Sequence, residues 1–96
     1  MQAYTFNQRV ENLYKSYFST YANISIILDE DQIKIYLIDE QNLDSASLEL
    51  KKFKQYDQIT FWDGYSQSEV IETTSERESA KTLKRFMKKI LKILNR

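Results

Sequence analysis

The sequence has no cysteine, no histidine and no proline, and only one glycine, Gly64. Each absence removes a class of chemistry. Without cysteine there is no disulfide framework, and without cysteine and histidine together there is no zinc site of the usual kind. Ser-His-Asp and Cys-His nucleophilic sets are excluded for the same reason. Histidine also does most general-base work near neutral pH, so any catalysis would fall to carboxylates, lysine, tyrosine or a metal held by oxygens. One glycine cannot build a phosphate-cradling loop, and the acidic "DEDQI" at 29–33 lacks the ligands and glycine of a calcium loop. No metal and no cofactor is therefore expected. The apolar runs "IIL" at 26–28 and "IYLI" at 35–38 are too short to span a membrane. The opening "MQAYTFNQRV" has neither a basic cluster nor an apolar stretch, so the expectation is a cytoplasmic protein without a signal peptide.

What is present is globular. Hydrophobic residues make up 42% and charged residues 29% of 96 positions, which suits one small domain over 1–96. The net charge is zero but unevenly placed. Residues 77–96 carry eight Lys/Arg and one Glu (+7), whereas 1–76 carry six Lys/Arg and thirteen Asp/Glu (−7). Such a division can mark an electrostatically chosen partner, or simply a basic helix over acidic neighbours.

Two helices frame the chain. Phe6, Val10, Leu13, Tyr14, Tyr17, Phe18 and Tyr21 recur at helical spacing, and Thr5 with Gln8 fits a capping box, predicting a helix near 6–20. Ser75 with Glu78 repeats that signature before the second helix. There Leu83, Phe86, Met87, Ile90 and Leu94 lie on one face, while Lys84, Arg85, Lys88, Lys89 and Lys92 lie on the other.

Between the helices the period changes to two. Ile24, Ile26 and Leu28, then Ile33, Ile35 and Leu37, alternate around the acidic turn and predict a hairpin. "SLELKKF" at 47–53 reads as a third strand with Leu48 and Leu50 inward, although Leu43, Ala46, Leu50 and Phe53 also fit a helix. In "FWDGYS", Asp63-Gly64 suits a two-residue type I′ turn. That turn would put Trp62 opposite Tyr65, with Gln67 and Glu69 on their face and Val70 turned away with Ile59 and Phe61. The predicted architecture is α+β: a four- to five-stranded antiparallel sheet with the N- and C-terminal helices packed on one face. The other face would stay open, carrying Ile27, Tyr36, Ile38, Trp62 and Tyr65 among Lys34, Glu49, Lys51 and Gln67.

Three functions compete. Asp39, nine further residues, then Glu49-Leu50-Lys51 resembles the Asp…Glu-x-Lys core of restriction-endonuclease-like nucleases. That resemblance implies two carboxylates on Mg²⁺ and a lysine on the attacking water. The helix-strand-strand-strand-helix order ending in "SERESAKTLKRFMKKIL" resembles double-stranded RNA-binding domains, which implies lysines of the last helix on phosphates. The acidic "DEDQ" and the early Glu76 and Glu78 depart from that pattern, because like charges would face phosphate. A nucleic-acid surface would then use Lys84, Arg85, Lys88, Lys89 and Lys92. The same helix on a membrane surface is disfavoured, because the core needs its apolar face. The leading expectation is a non-catalytic protein-binding module, a small cytoplasmic inhibitor of the immunity type acting by surface occlusion. A stoichiometric inhibitor needs no catalytic residue. Trp62, Tyr65, Tyr36, Glu49 and Gln67 are its candidate contacts, since tryptophan and tyrosine dominate binding hot spots. The apolar residues of the open face also make a homodimer an expectation.

Overall fold

A computed structural model describes residues 5–39, 41 and 45–95. The order is α1 (Phe6–Phe18), β1 (Ile24–Leu28), β2 (Gln32–Leu37), β3 (Ser47–Lys52), β4 (Asp57–Trp62), β5 (Ser68–Thr73) and α2 (Glu76–Leu94). The five strands form one antiparallel sheet in sequence order, each pairing with the next. This is the α+β architecture expected from the periodicities, with the larger of the two strand counts.

Local signals place the helix ends. Thr5 Oγ1 accepts the Gln8 N–H (3.1 Å) while the Gln8 side chain accepts the Thr5 N–H (2.9 Å), so the first capping box closes both ways. At α2, Ser75 Oγ accepts the Glu78 N–H (3.1 Å), and Glu76 and Glu78 sit where the helix dipole favours negative charge. The segment from Ser47 to Lys52 is a strand, and of the helical alternative Leu43 falls outside the described residues. β-pairing wins there because Leu48 and Leu50 can both be buried only with a period of two.

The core lies between the sheet and the helices. Ile33, Ile35, Leu48, Leu50 and Ile59 meet Val10, Leu83, Phe86, Met87 and Ile90, all fully buried. α2 packs over β3, β4 and β5, and α1 lies beside it on β1. One polar cluster is buried with them: Ser79 Oγ donates to Asp57 Oδ2 (2.8 Å) and accepts from Thr73 Oγ1. It ties the start of α2 to the β4–β5 pair and leaves neither hydroxyl unsatisfied.

The last hairpin corrects the expected turn. Trp62 pairs with Ser68, not Tyr65, and residues 63–67 form a five-residue loop. A type I′ turn needs positive φ at both central residues, yet only Gly64 has it (φ +91°). Asp63 instead turns its carboxylate inward, where Oδ1 accepts the N–H groups of Tyr65 (2.8 Å), Ser66 (3.0 Å) and Gln67 (3.1 Å). A side chain that satisfies three amides outcompetes the tighter turn. The register moves by three residues, an odd number, so every β5 side chain changes face. Val70 is on the open side and 54% exposed, while Glu69 and Ile71 lie on the helix side.

Candidate functional site

The uncovered face of the sheet is organised in rows across the strands. The register aligns Ser25, Tyr36, Ser47, Trp62 and Ser68 in one line. Two aromatic side chains thus stand on alternate strands with serines between and beside them. At a strand spacing of about 4.8 Å, their Cα atoms are roughly 10 Å apart across Ser47. The small Ser47 separates Tyr36 and Trp62 in this row, and both aromatics are half-buried. Lys34 lies over the Tyr36 ring at 5.6 Å and steadies it.

The next row reads Ile27, Lys34, Glu49, Thr60, Val70, with charge at the centre and apolar residues at both edges. Glu49 is held in place: Gln32 Nε2 donates to its Oε2, and Lys51 Nζ lies 3.7 Å from Oε1. The 63–67 loop and Ile38 flank the aromatic end of the face. Tyr65 stands at the loop tip, 77% exposed, and Gln67 closes the loop by accepting the Asp63 N–H with its carbonyl (3.1 Å). Of the expected contacts, then, Trp62, Tyr36 and Glu49 share one surface. Tyr65 and Gln67 border it from the loop rather than pairing across it. Glu69, expected on this face, lies on the other.

Sequence reasoning missed Ser47, whose importance is only its smallness between two aromatics. Counting register across β2, β3 and β4 would have found it. It also missed Phe53 and Tyr56, whose rings stack 5.0 Å apart over the β3–β4 turn at the opposite end of the sheet.

Of the three residues of the nuclease pattern, Glu49 and Lys51 lie together and Asp39 does not join them. Lys34 is the residue opposite Glu49, and Ile38, still hydrogen-bonded to Asn23 (2.8 Å), lies four residues further on. At about 3.3 Å per residue this is roughly 13 Å, so Asp39 leaves the sheet well away from Glu49. A magnesium ion, with oxygens at about 2.0–2.1 Å, could not bridge them. Asp39 instead accepts the Gln41 N–H (2.9 Å) in a local turn. Among the described residues no group of three or more acidic side chains is placed to hold a metal ion.

The basic helix divides in two. Arg85 and Lys89 bend to Glu69 on β5, at 3.2 Å and 2.7 Å, and Lys89 also lies over the Phe61 ring (5.3 Å). The hydrogen bond from Lys89 is the main cause holding the Glu69 carboxyl below the usual carboxylate range; burial opposes it, and the charges of Lys89 and then Arg85 add to the lowering. Lys84, Lys88 and Lys92 face solvent. No helix among the described residues is long and apolar enough to cross a membrane.

Comparison with protein-family models, with curated proteins and with solved structures finds no match.

Proposed function

We propose that this chain is a non-catalytic protein-binding module that acts by covering a partner's surface, a small inhibitor of the immunity type working in the cytoplasm. One observation carries the reading: the Tyr36–Ser47–Trp62 row on a sheet face that the protein's own helices leave uncovered. Tryptophan and tyrosine bury large area at low entropy cost and dominate binding hot spots. Glu49, Gln67 and Tyr65 form the surrounding polar and aromatic contacts. Extraction from the source cell with immobilised protein, with mass spectrometry of what is retained, tests this directly. A protein held by the native chain should bind Trp62→Ala at least tenfold more weakly. Equal retention by both would remove the aromatic row from the interface.

The exposed Ile27 and Val70 on the same face favour a homodimer as the competing occupant. A mass in sedimentation that rises with concentration, and falls back for Trp62→Ala, would assign the face to a second copy. A nucleic-acid surface is the other reading, supported by the solvent-facing Lys84, Lys88 and Lys92. Lys84→Glu with Lys88→Glu should abolish nucleic-acid retention if that reading holds and leave the sheet interface intact if it does not.

A further inference from the structure

The two edges of the sheet offer different things to a partner. On β1, the bonds Ile38 N–H to Asn23 O and Asp29 N–H to Gln32 O bracket the ladder. The backbone groups of Ile24, Ile26 and Leu28 therefore point outward. The Tyr14 hydroxyl donates to the Ile24 carbonyl (3.2 Å) and so occupies one end of that edge. Burial, with Tyr36 second, pushes the Tyr14 phenol up.

β5 is the other edge. Its ladder is fixed by Asp63 N–H to Gln67 O, so Phe61–Glu69 and Ile59–Ile71 exchange the bonds to β4. The N–H and C=O groups of Ser68, Val70 and Glu72 then point away from the sheet. Beside them, on the helix side, is an open groove of about 480 Å³ lined by Phe61, Ser66, Gln67, Ser68, Glu69 and Lys89. Lys89 lines this groove, and with Arg85 it shares the single carboxylate of Glu69. Two cations against one anion leave a surplus positive charge beside an outward-facing ladder.

We propose that β5 accepts an added strand: an extended segment of a partner protein with acidic side chains on the helix side, under Arg85 and Lys89. Main-chain bonds to Ser68, Val70 and Glu72 supply affinity, and the surplus cation selects the charge. The intervening residues of the segment lie beside the exposed Val70 on the open face. A second copy of this chain is a poorer occupant. Antiparallel pairing of β5 with its own copy puts both α2 helices on one side of the joined sheet, with Arg85 and Lys89 of each facing those of the other.

The inference rests on the protein-binding reading but uses another surface, so its failure leaves the Trp62 test standing, and the reverse also holds. The probe is a nine-residue peptide of alternating glutamate and valine, blocked at both ends, titrated into the isotope-labelled full chain. The amides of Ser68, Val70 and Glu72 should shift and gain protection from hydrogen exchange. A lysine–valine peptide, and a glutamate–valine peptide N-methylated at alternate residues, should each bind at least tenfold more weakly. Arg85→Gln with Lys89→Gln should narrow the difference between the glutamate and lysine peptides. Unmoved edge amides, or equal binding of the two charges, would overturn the proposal. So would protection of those amides that appears on concentrating the free chain, which would give the edge to a second copy.

Discussion

Along β3, Leu48 and Leu50 are fully buried while Glu49, between them, keeps 27% of its side chain exposed. The same alternation runs through β2 and β4, so one set of strands presents two faces of opposite character. The covered face is mainly aliphatic, with Phe61 and one buried polar cluster at Asp57, Thr73 and Ser79, and its apolar positions are set by the volume that α1 and α2 leave. The open face has no helix packed over it, and it carries a tryptophan and a tyrosine aligned across a serine. The contrast separates residues packed under the helices from residues that no helix covers. The second group is where binding is to be sought.

Stability measurements can break or sharpen this contrast. The largest effect belongs to the covered face: Leu50→Ala should cost about 2–5 kcal/mol in denaturant unfolding, because it leaves a cavity under α2. Trp62→Ala removes a larger side chain that is only half-buried, and should cost about 2 kcal/mol rather than the 3–5 of a fully buried tryptophan. If Trp62 costs as much as Leu50, the open face is structural and the contrast fails. Its single-tryptophan fluorescence offers a second check, with emission between the buried and fully wet limits.

Gly64→Ala probes what decides which face each β5 side chain joins. The residue has φ +91°, and an added Cβ would lie 3.1 Å from the Ala46 nitrogen. A loss of about 1–2 kcal/mol is expected from strain in the loop. The altered loop should also shift the amides of Tyr65, Ser66 and Gln67 that Asp63 holds.

The smallest effect is at Glu69. Its acid is lowered mainly by the hydrogen bond from Lys89, so it stabilises the fold at pH values above the unfolded carboxylate range. That stabilisation disappears as pH falls through the lowered folded value. Glu69→Gln should therefore cost less than about 1 kcal/mol at neutral pH, given the solvent screening of a partly exposed pair. The gap between native and variant proteins should close in acid. A gap that widens in acid would show that the pair does not work as described.

Much of this was legible in the amino-acid sequence. Helical spacing with the Thr5 and Ser75 caps located both helices, because capping is a local exchange of hydrogen bonds. Alternation located the strands and told Leu48 and Leu50 from Glu49, because burial on one face imposes a period of two. The sequence alone also determined that no thiol or imidazole chemistry is available. It could not decide the β4–β5 register. Asp-Gly is compatible with a two-residue turn, and only the assembled loop shows the Asp63 carboxylate taking three amides instead. That choice moved Val70 out, moved Glu69 under α2, and replaced Tyr65 by Ser68 as the partner of Trp62. Nor could periodicity reveal the Tyr36–Ser47–Trp62 row or the separation of Asp39 from Glu49. Both depend on which residues of different strands stand side by side. Cross-strand neighbours are set by register, and register is a property of the whole sheet rather than of any one segment.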